Sequence, residues 1–172
     1  MESLRLYRIN SKYISYLRGT DKKVQLNKNA KRPYVGIVLY VGGFRYFAPL
    51  ESPKDNHKNI KSGKHLLKID NGNLGLIGFN NMIPIHDSAL IEFDINSEPD
   101  IKYAELLKRQ VTWINKNKAT IYEHANKTYY AVVNTTNKFL ASVSCDFKRL
   151  EKACKGYIPN YKKSPPKIIN NK

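Results

Sequence analysis

Short runs of apolar and polar residues alternate along the first half of the chain, which predicts β-strands that bury one face. The first run, residues 4–9, alternates apolar with charged side chains at most positions. Two stronger runs follow and are joined by Gly42 and Gly43, which supply the positive φ values of a tight hairpin turn. The second of these strands is expected to end near Ala48, because Pro49 cannot donate a backbone hydrogen bond to a neighbouring strand.

The middle of the chain contains four further apolar segments, which are short and interrupted by glycine, asparagine and proline. They lie at residues 64–69, 74–79, 82–85 and 89–95. Strands this short fit a strongly bent antiparallel sheet. The polar and mostly cationic residues 19–32 are expected to form a loop that leads into the hairpin.

The second half of the chain is dominated by helical spacing, in which apolar residues recur every three or four positions. An earlier, shorter helix is expected at residues 11–18, capped by Ser11. Asp100 is expected to begin a longer helix whose apolar face packs on the sheet. Residues 121–133 predict another helix, although their Thr-Tyr-Tyr-Ala-Val-Val stretch could also form a strand. A last helix is expected after Asp146, and the predicted fold class is therefore α+β.

The balance of charge indicates the class of partner. The chain has 30 Lys and Arg residues against 14 Asp and Glu residues, which gives a formal net charge of +16. Such an excess attracts polyanions, so nucleic acid is the leading candidate. A generally basic protein without a nucleic-acid partner is the alternative.

The length of the chain predicts a single domain over residues 1–160, followed by a basic tail at residues 161–172. No apolar run is long enough to cross a membrane, and the first residues lack the apolar segment of a signal peptide. The cytoplasm is therefore the expected location. Cys145 and Cys154 have no metal-ligand spacing and are expected to be ordinary buried thiols.

Acidic residues are sparse and scattered, whereas metal-dependent nucleases gather carboxylates around their cations. We therefore expect neither a metal nor another cofactor. RNA offers a different route, because its 2′-hydroxyl can attack the adjacent phosphorus. A general base helps to remove the hydroxyl proton, a general acid protonates the departing 5′-oxygen, and cations stabilise the phosphorane.

The loop after the hairpin carries side chains suited to this reaction. Ser52 and Lys54 are expected to bind a phosphate oxygen, and Arg32, beside the first hairpin strand, could reach the same group. His57 lies nearby in sequence, and an unperturbed histidine pKa suits proton exchange near neutral pH. A Ser-Pro-Lys turn is by itself more often only a turn. Further residues expected to contact RNA, six lysines and one base-stacking tyrosine, are Lys22, Lys23, Lys28, Lys31, Lys58, Lys61 and Tyr130.

Four segments together carry a family resemblance, namely YRINSKYISYLR, YVGIVLYVGGFRYFAPLESPKDNHK, LGLIGFNNMIPI and YAELLKRQVTWI. In this order they resemble the ToxN/AbiQ endoribonucleases, the toxins of type III toxin-antitoxin systems, which include a phage abortive-infection member. The resemblance implies a compact, strongly bent antiparallel β-sheet flanked by helices, similar to the Kid/MazF toxins. It also implies metal-independent cleavage that leaves a 2′,3′-cyclic phosphate. The implied partner is an antitoxin RNA, which the toxin processes from a repeat array into inhibitory pseudoknots.

The resemblance also assigns residues by position. Ser52 and Lys54 match the catalytic serine and lysine of the family, and Arg32 stands where a related toxin has lysine. Glu51 replaces a threonine, so it could accept a proton or orient Lys54. The upstream active-site tyrosine of the family has no clear match, since Lys28 occupies its place.

Two other functions fit the charge of the chain. A non-catalytic RNA-binding module would tolerate Ser52→Ala apart from a modest loss of affinity. A DNA-binding regulator would need a DNA-reading motif, and no helix-turn-helix is recognisable in the sequence.

Overall fold

Seven β-strands form a bent antiparallel sheet in the computed structural model, which describes residues 3–61 and 63–159. The strands are β1 Arg5–Ile9, β2 Tyr34–Val41, β3 Phe44–Glu51, β4 Leu66–Lys68, β5 Leu76–Gly78, β6 Ile83–Pro84 and β7 Leu90–Glu92. Their order across the sheet is β4-β5-β3-β2-β1-β7, and β6 also pairs with β3. The long hairpin of β2 and β3, which the sequence predicts, therefore lies in the middle of the sheet.

Five α-helices accompany the sheet within the described ranges. They are α1 Ser11–Thr20, α2 Ile101–Lys116, α3 Lys118–Val133, α4 Lys138–Val143 and α5 Phe147–Lys155. The α+β prediction is confirmed, and the ambiguous segment at the end of α3 is helical. The short helix α4 was not predicted.

The caps of the helices explain where they begin. The carboxylates of Asp100 and Asp146 accept backbone hydrogen bonds at the starts of α2 and α5, as expected. The predicted cap of α1 is wrong by one residue, because the Asn10 side chain accepts the Lys12 N–H at 2.8 Å. The Ser11 hydroxyl instead lies 3.3 Å from the Asn27 side-chain oxygen.

Strand β3 continues to Glu51, so its expected end near Ala48 is wrong. The N–H of Leu50 donates towards the β2 side, so the Pro49 nitrogen faces the other side, where β5 and β6 lie. Strand β6 pairs with β3 only as far as Phe47, and β5 pairs with it from Leu50 onward. Pro49 lies between these two partners, and its missing N–H interrupts no ladder.

Helices α3 and α5 pack on the sheet around one buried carboxylate, Glu151. Its Oε1 atom accepts hydrogen bonds from the hydroxyls of Tyr46 on β3, at 2.9 Å, and of Tyr129 on α3, at 2.6 Å. The Lys148 ammonium donates to the second oxygen at 2.9 Å. Phe147 stacks on Tyr129. These contacts join the three elements with every polar group of the cluster partnered.

Both cysteines are free and buried, as expected. Burial and, to a lesser extent, Asp21 raise the pKa of the Cys145 thiol to about 12. Burial also raises the pKa of Cys154. Within the described residues, no helix is long and apolar enough to span a bilayer. The predicted basic tail at 161–172 lies outside the described residues, and the division of the chain at residue 160 stays a prediction.

Candidate active site

A cavity of about 510 Å³ opens where the end of β3, the loop before β2 and the start of α2 meet. Its lining comes from widely separated parts of the chain and is rich in charge. The lining residues are Arg8, Lys28, Lys31, Arg32, Pro33, Leu50, Glu51, Ser52, Lys54, Glu98, Pro99, Asp100 and Tyr103. Ser52, Lys54, Arg32 and Glu51, four of the five predicted catalytic residues, therefore share one cavity.

The register of the central hairpin explains why these residues meet. Tyr34 pairs with Pro49, and the N–H of Leu50 donates to the Pro33 carbonyl at 3.0 Å. The chain entering β2 and the chain leaving β3 consequently lie side by side. This arrangement places Arg32 beside the loop that carries Ser52.

A left-handed turn places two lysines at the cavity. Lys28, Asn29 and Ala30 have backbone φ values of 52°, 57° and 64°, a conformation that residues other than glycine rarely adopt. The turn is closed on one side by the hydrogen bond from Arg32 N to the Asn27 carbonyl, at 2.9 Å. The buried Asn27 side chain donates to a β1 carbonyl at 2.7 Å, which ties the turn to the sheet. Lys28 and Lys31 reach the lining in this way.

Glu51 lies among the cations of the cavity. Its carboxylate is 3.3 Å from Lys54 Nζ and 4.0 Å from an Arg32 terminal nitrogen, and Gln25 donates to it at 3.4 Å. Partial burial raises the pKa of this carboxyl. The charge and hydrogen bond of Lys54, followed by Arg32 and Gln25, together lower the pKa by more than burial raises it, so the net shift is downward. The carboxylate is therefore ionised near neutral pH and holds Lys54 and Arg32 close to one another.

The Arg32 guanidinium is fixed from a second direction. Its Nε–H donates to the Leu26 carbonyl at 2.9 Å, and the side chain is only 15 % exposed. Lys54 is freer, with 62 % of its side chain exposed. The cavity thus combines a positioned fork of donors with an exposed ammonium, and both can reach an anion.

His57 is not in the lining. Its side chain is 2 % exposed and its Nε2 atom lies 4.0 Å from the Glu51 carboxylate. The imidazole is therefore buried next to this carboxylate and does not face the cavity. Burial lowers its pKa most, Lys54 lowers it too, and Glu51 opposes them. Its Nδ1 atom is buried without a hydrogen-bond partner among the described residues. Any influence of His57 on a bound molecule would pass through Glu51.

Tyr103, in the first turn of α2, lines the cavity but is not among the predicted site residues. Ser52 lines the same cavity, close enough to the phenol to influence its pKa. Burial and then Glu98 raise its pKa, while Arg8, Ser52 and Arg32 lower it by less, so the phenol stays protonated near neutral pH. The helical spacing of Tyr103 is that of a core residue, and only the packing of α2 against the site loop distinguishes it.

Arg8 and Glu98 were also missed. They form an ion pair of 2.9 Å between β1 and the segment before α2. Arg8 belongs to an ordinary alternating strand and Glu98 to a polar linker, so no local pattern in the sequence indicates either.

The predicted RNA-contacting residues are dispersed. Lys28 and Lys31 line the cavity, whereas Lys22, Lys58 and Lys61 are exposed outside it. The Lys23 ammonium donates to the Ser144 carbonyl at 2.9 Å, which ties it to the chain before α5. Tyr130 is 48 % exposed and lies edge-on against Tyr129, outside the cavity. Contact of these residues with RNA stays a prediction.

The described residues contain no group of three His, Cys, Asp or Glu side chains arranged to hold a metal ion. The nearest acids, Glu51, Glu98 and Asp100, are engaged with cations or, for Asp100, with the N–H of Tyr103. The groups available for chemistry in this cavity are the cationic side chains, the hydroxyls of Ser52 and Tyr103, and the carboxylates.

Comparison with known proteins identifies relatives along nearly the whole chain. Residues 5–155 match the family model described as Toxin ToxN, type III toxin-antitoxin system. Endoribonuclease ToxN of Bacillus thuringiensis subsp. kurstaki is 33% identical over 162 residues, which cover 89% of this chain and 84% of the relative. Endoribonuclease AbiQ of Lactococcus lactis subsp. lactis is 32% identical over 161 residues, covering 87% of this chain and 86% of the relative.

Solved structures agree with these relatives. A structure described as showing selective toxin inhibition by a non-coding RNA pseudoknot superposes with a TM-score of 0.79 at 30% identity. The match covers 90% of this chain and 97% of the other. The structure of AbiQ, a lactococcal anti-phage endoribonuclease, has the same TM-score at 29% identity and the same coverage.

Proposed function

The chain belongs to the ToxN family of type III toxins, and we propose that it cleaves RNA in the cavity that Arg32, Ser52 and Lys54 line. It is an endoribonuclease of a type III toxin-antitoxin system. These three side chains lie up to 22 positions apart in the sequence and nevertheless line one cavity. This observation carries the assignment of the cavity as the active site.

The proposed reaction uses the oxygen of RNA itself. The 2′-hydroxyl loses its proton and forms a bond to the adjacent phosphorus, the bond from phosphorus to the 5′-oxygen breaks, and that oxygen gains a proton. The products are a 2′,3′-cyclic phosphate and a 5′-hydroxyl. Ser52 donates a hydrogen bond to a phosphate oxygen, and Arg32 and Lys54 stabilise the negative charge of the phosphorane.

Glu51 is proposed to orient these cations. Its carboxylate has a lowered pKa and contacts both Lys54 and Arg32, which favours a role as a fixed anion over one as a strong base. His57, which is buried 4.0 Å from the carboxylate, is proposed to help hold Glu51 in place. Tyr103, which is protonated and lines the same cavity, is proposed to orient the serine hydroxyl.

The partner of the enzyme is an RNA antitoxin, because similar toxins are inhibited by a non-coding RNA pseudoknot and form part of antiviral systems. The net charge of +16 suits a polyanionic partner of this kind. We propose that the toxin processes this RNA from a repeat precursor in the same cavity. A cytoplasmic location follows from the proposal, since RNA substrates and antitoxin are made there.

The direct experiment is to incubate wild type and Ser52→Ala with cellular RNA in EDTA and to map the ends of the products. We expect wild type to cut and to leave cyclic phosphates, and Ser52→Ala to bind RNA without cutting it. Replacing the single 2′-hydroxyl at a cleaved step with hydrogen should abolish cleavage at that step alone. Cutting by Ser52→Ala, or failure of wild type in EDTA, would overturn the proposed mechanism.

A further inference from the structure

The lining of the cavity divides into two parts that differ in charge. The cationic part consists of Lys28, Lys31, Arg32 and Lys54, and the single carboxylate among them is that of Glu51. The mixed part consists of Arg8, Glu98, Asp100 and Tyr103. The first comes from the loops that flank the hairpin, and the second comes from β1 and the beginning of α2. The one cavity therefore offers two chemically distinct surfaces.

Arg8 is held tightly within the mixed part. Its terminal nitrogen donates to Glu98 at 2.9 Å, and its guanidinium lies 3.9 Å above the ring of Phe93. Its side chain is 29 % exposed and that of Glu98 is 11 % exposed, so both present only an edge to the cavity. The Arg8 Nε atom is buried without a hydrogen-bond partner among the described residues.

This part of the cavity is a poor site for phosphate. The charge of Arg8 is compensated by Glu98, and the second carboxylate, Asp100, adds a negative charge nearby. A phosphate group would meet two carboxylates and one cation here, whereas the cationic part offers four positive side chains against the one carboxylate of Glu51. The negative charge of RNA is therefore directed to the cationic part, and its uncharged groups are left to the mixed part.

The edge of a base matches what the mixed part presents. A carboxylate is an acceptor only, and an arginine is a donor only. Glu98 with Arg8 therefore forms an acceptor beside a donor, the pattern that pairs with a base edge in single-stranded RNA. The half-buried ring of Tyr103 lines the same cavity as this pair and Ser52, and an aromatic ring offers a face on which a base can stack.

We propose that the mixed part binds a base next to the scissile phosphate and selects bases with an exocyclic amino group, which donates to Glu98. This inference rests on the proposed function of the cavity. Adenine, guanine and cytosine carry such a group and uracil does not. A charge-assisted hydrogen bond to an ionised carboxylate is stronger than a neutral one, so the preference follows from the chemistry of Glu98.

The test uses short RNAs with one cleaved bond, found by the end mapping described above. At each nucleotide flanking that bond, adenine is compared with unsubstituted purine, and guanine with hypoxanthine, so that only the amino group changes. The measured quantity is the ratio of kcat/KM for the two RNAs of each pair. We expect a ratio of about ten at one flanking position in wild type.

The double variant Arg8→Met/Glu98→Met removes both partners at similar volume, which avoids leaving a buried charge unpaired. We expect the ratio to fall to about one, because cleavage of the amino-bearing RNA slows by about ten times more than cleavage of the amino-lacking RNA. Glu98→Gln, which keeps the shape and removes the charge, should give an intermediate ratio. The matched control is Glu123→Met/Lys127→Met, an exposed ion pair on α3, which should leave the ratio as in wild type.

The outcomes separate this inference from the proposed function. Absence of any cleavage by wild type would remove the proposed function. A wild-type ratio near one at both flanking positions would overturn the base site, as would an equal loss on both RNAs of a pair in Glu98→Gln. Should the double variant fail to fold, the ratio in Glu98→Gln decides the question.

Discussion

Gly75 lies directly against the carbonyl oxygen of Glu51, and a Cβ atom at residue 75 would stand 1.9 Å from that oxygen. Strand β5, which begins at Leu76, pairs with the end of β3 at this point. The backbone of the turn before β5 therefore packs against the backbone of Glu51, the residue that precedes Ser52. The position of the catalytic loop depends on a glycine that makes no contribution to the chemistry.

Gly75→Ala should displace Glu51 and Ser52. Its φ of +103° adds strain for any residue with a Cβ atom. We expect kcat to fall by about a hundredfold and the free energy of unfolding to drop by about 2–3 kcal/mol. The control is Gly43→Ala, where φ is +83° but nothing lies within 4 Å of a Cβ atom. A variant at Gly75 that lost no more activity than the one at Gly43 would contradict this role.

Glu51→Gln should separate binding from cleavage. The amide keeps the shape but loses the charge that holds Lys54 at 3.3 Å and lies 4.0 Å from Arg32. Binding of an RNA with a deoxy substitution at the cleaved step should tighten, because one negative charge leaves the cavity. Cleavage of the all-ribose RNA should slow by about tenfold, because the cations lose their anchor. A faster variant would show that Glu51 does not orient them.

The burial of His57 should make the protein less stable in mild acid. Its pKa is lowered in the folded state, so the unfolded chain binds the proton more readily as the pH falls through about 6.5. The free energy of unfolding is therefore smaller below that pH than at pH 7.5. Thermal unfolding between pH 7.5 and 5.5 should show a shallower dependence on pH in His57→Gln than in wild type. His86→Gln, on a partly exposed histidine bound to Ser88, is the matched comparison. Equal slopes in His57→Gln and wild type would refute the prediction.

Glu151→Leu should destabilise the fold without touching the cavity. It removes the acceptor of the Tyr129 hydroxyl and leaves the Tyr46 hydroxyl only the Phe147 carbonyl, at 3.5 Å. We expect a loss of about 2–4 kcal/mol, which lowers Tm by about 2–4 °C for each kcal/mol. Glu123→Leu, in an exposed pair with Lys127, should cost less than about 1 kcal/mol. Equal losses in the free energy of unfolding would mean that the buried Glu151 stabilises the fold no more than the exposed Glu123 does.

The sequence predicts those parts of the site that lie close together along a hairpin. A tight turn at Gly42 and Gly43 fixes the register of two long strands, so Arg32 and Ser52 are brought together by local rules. Burial is not local, and the sequence therefore does not reveal that His57 faces the core. The proximity of Tyr103 to Ser52 depends on how α2 packs, and that of Arg8 to Glu98 on a contact across 90 positions.

The same limit explains the smaller errors in the fold. Asn10 and Ser11 are both good cap residues, and the buried amide of Asn27 decides between them by engaging the serine. Pro49 would end an ordinary strand, and the sequence does not indicate that two partner strands leave a gap opposite it. In both cases a neighbour distant in sequence overrides a sound local rule.

The burial of both native thiols makes the protein convenient for spectroscopy. Cys145 and Cys154 are the only cysteines of the chain, and each is shielded and poorly ionised. A cysteine introduced at Lys58, an exposed residue six positions after Ser52, should therefore react alone with a maleimide dye. Fluorescence from that single label could follow the arrival of RNA in real time without first removing the natural sulfurs.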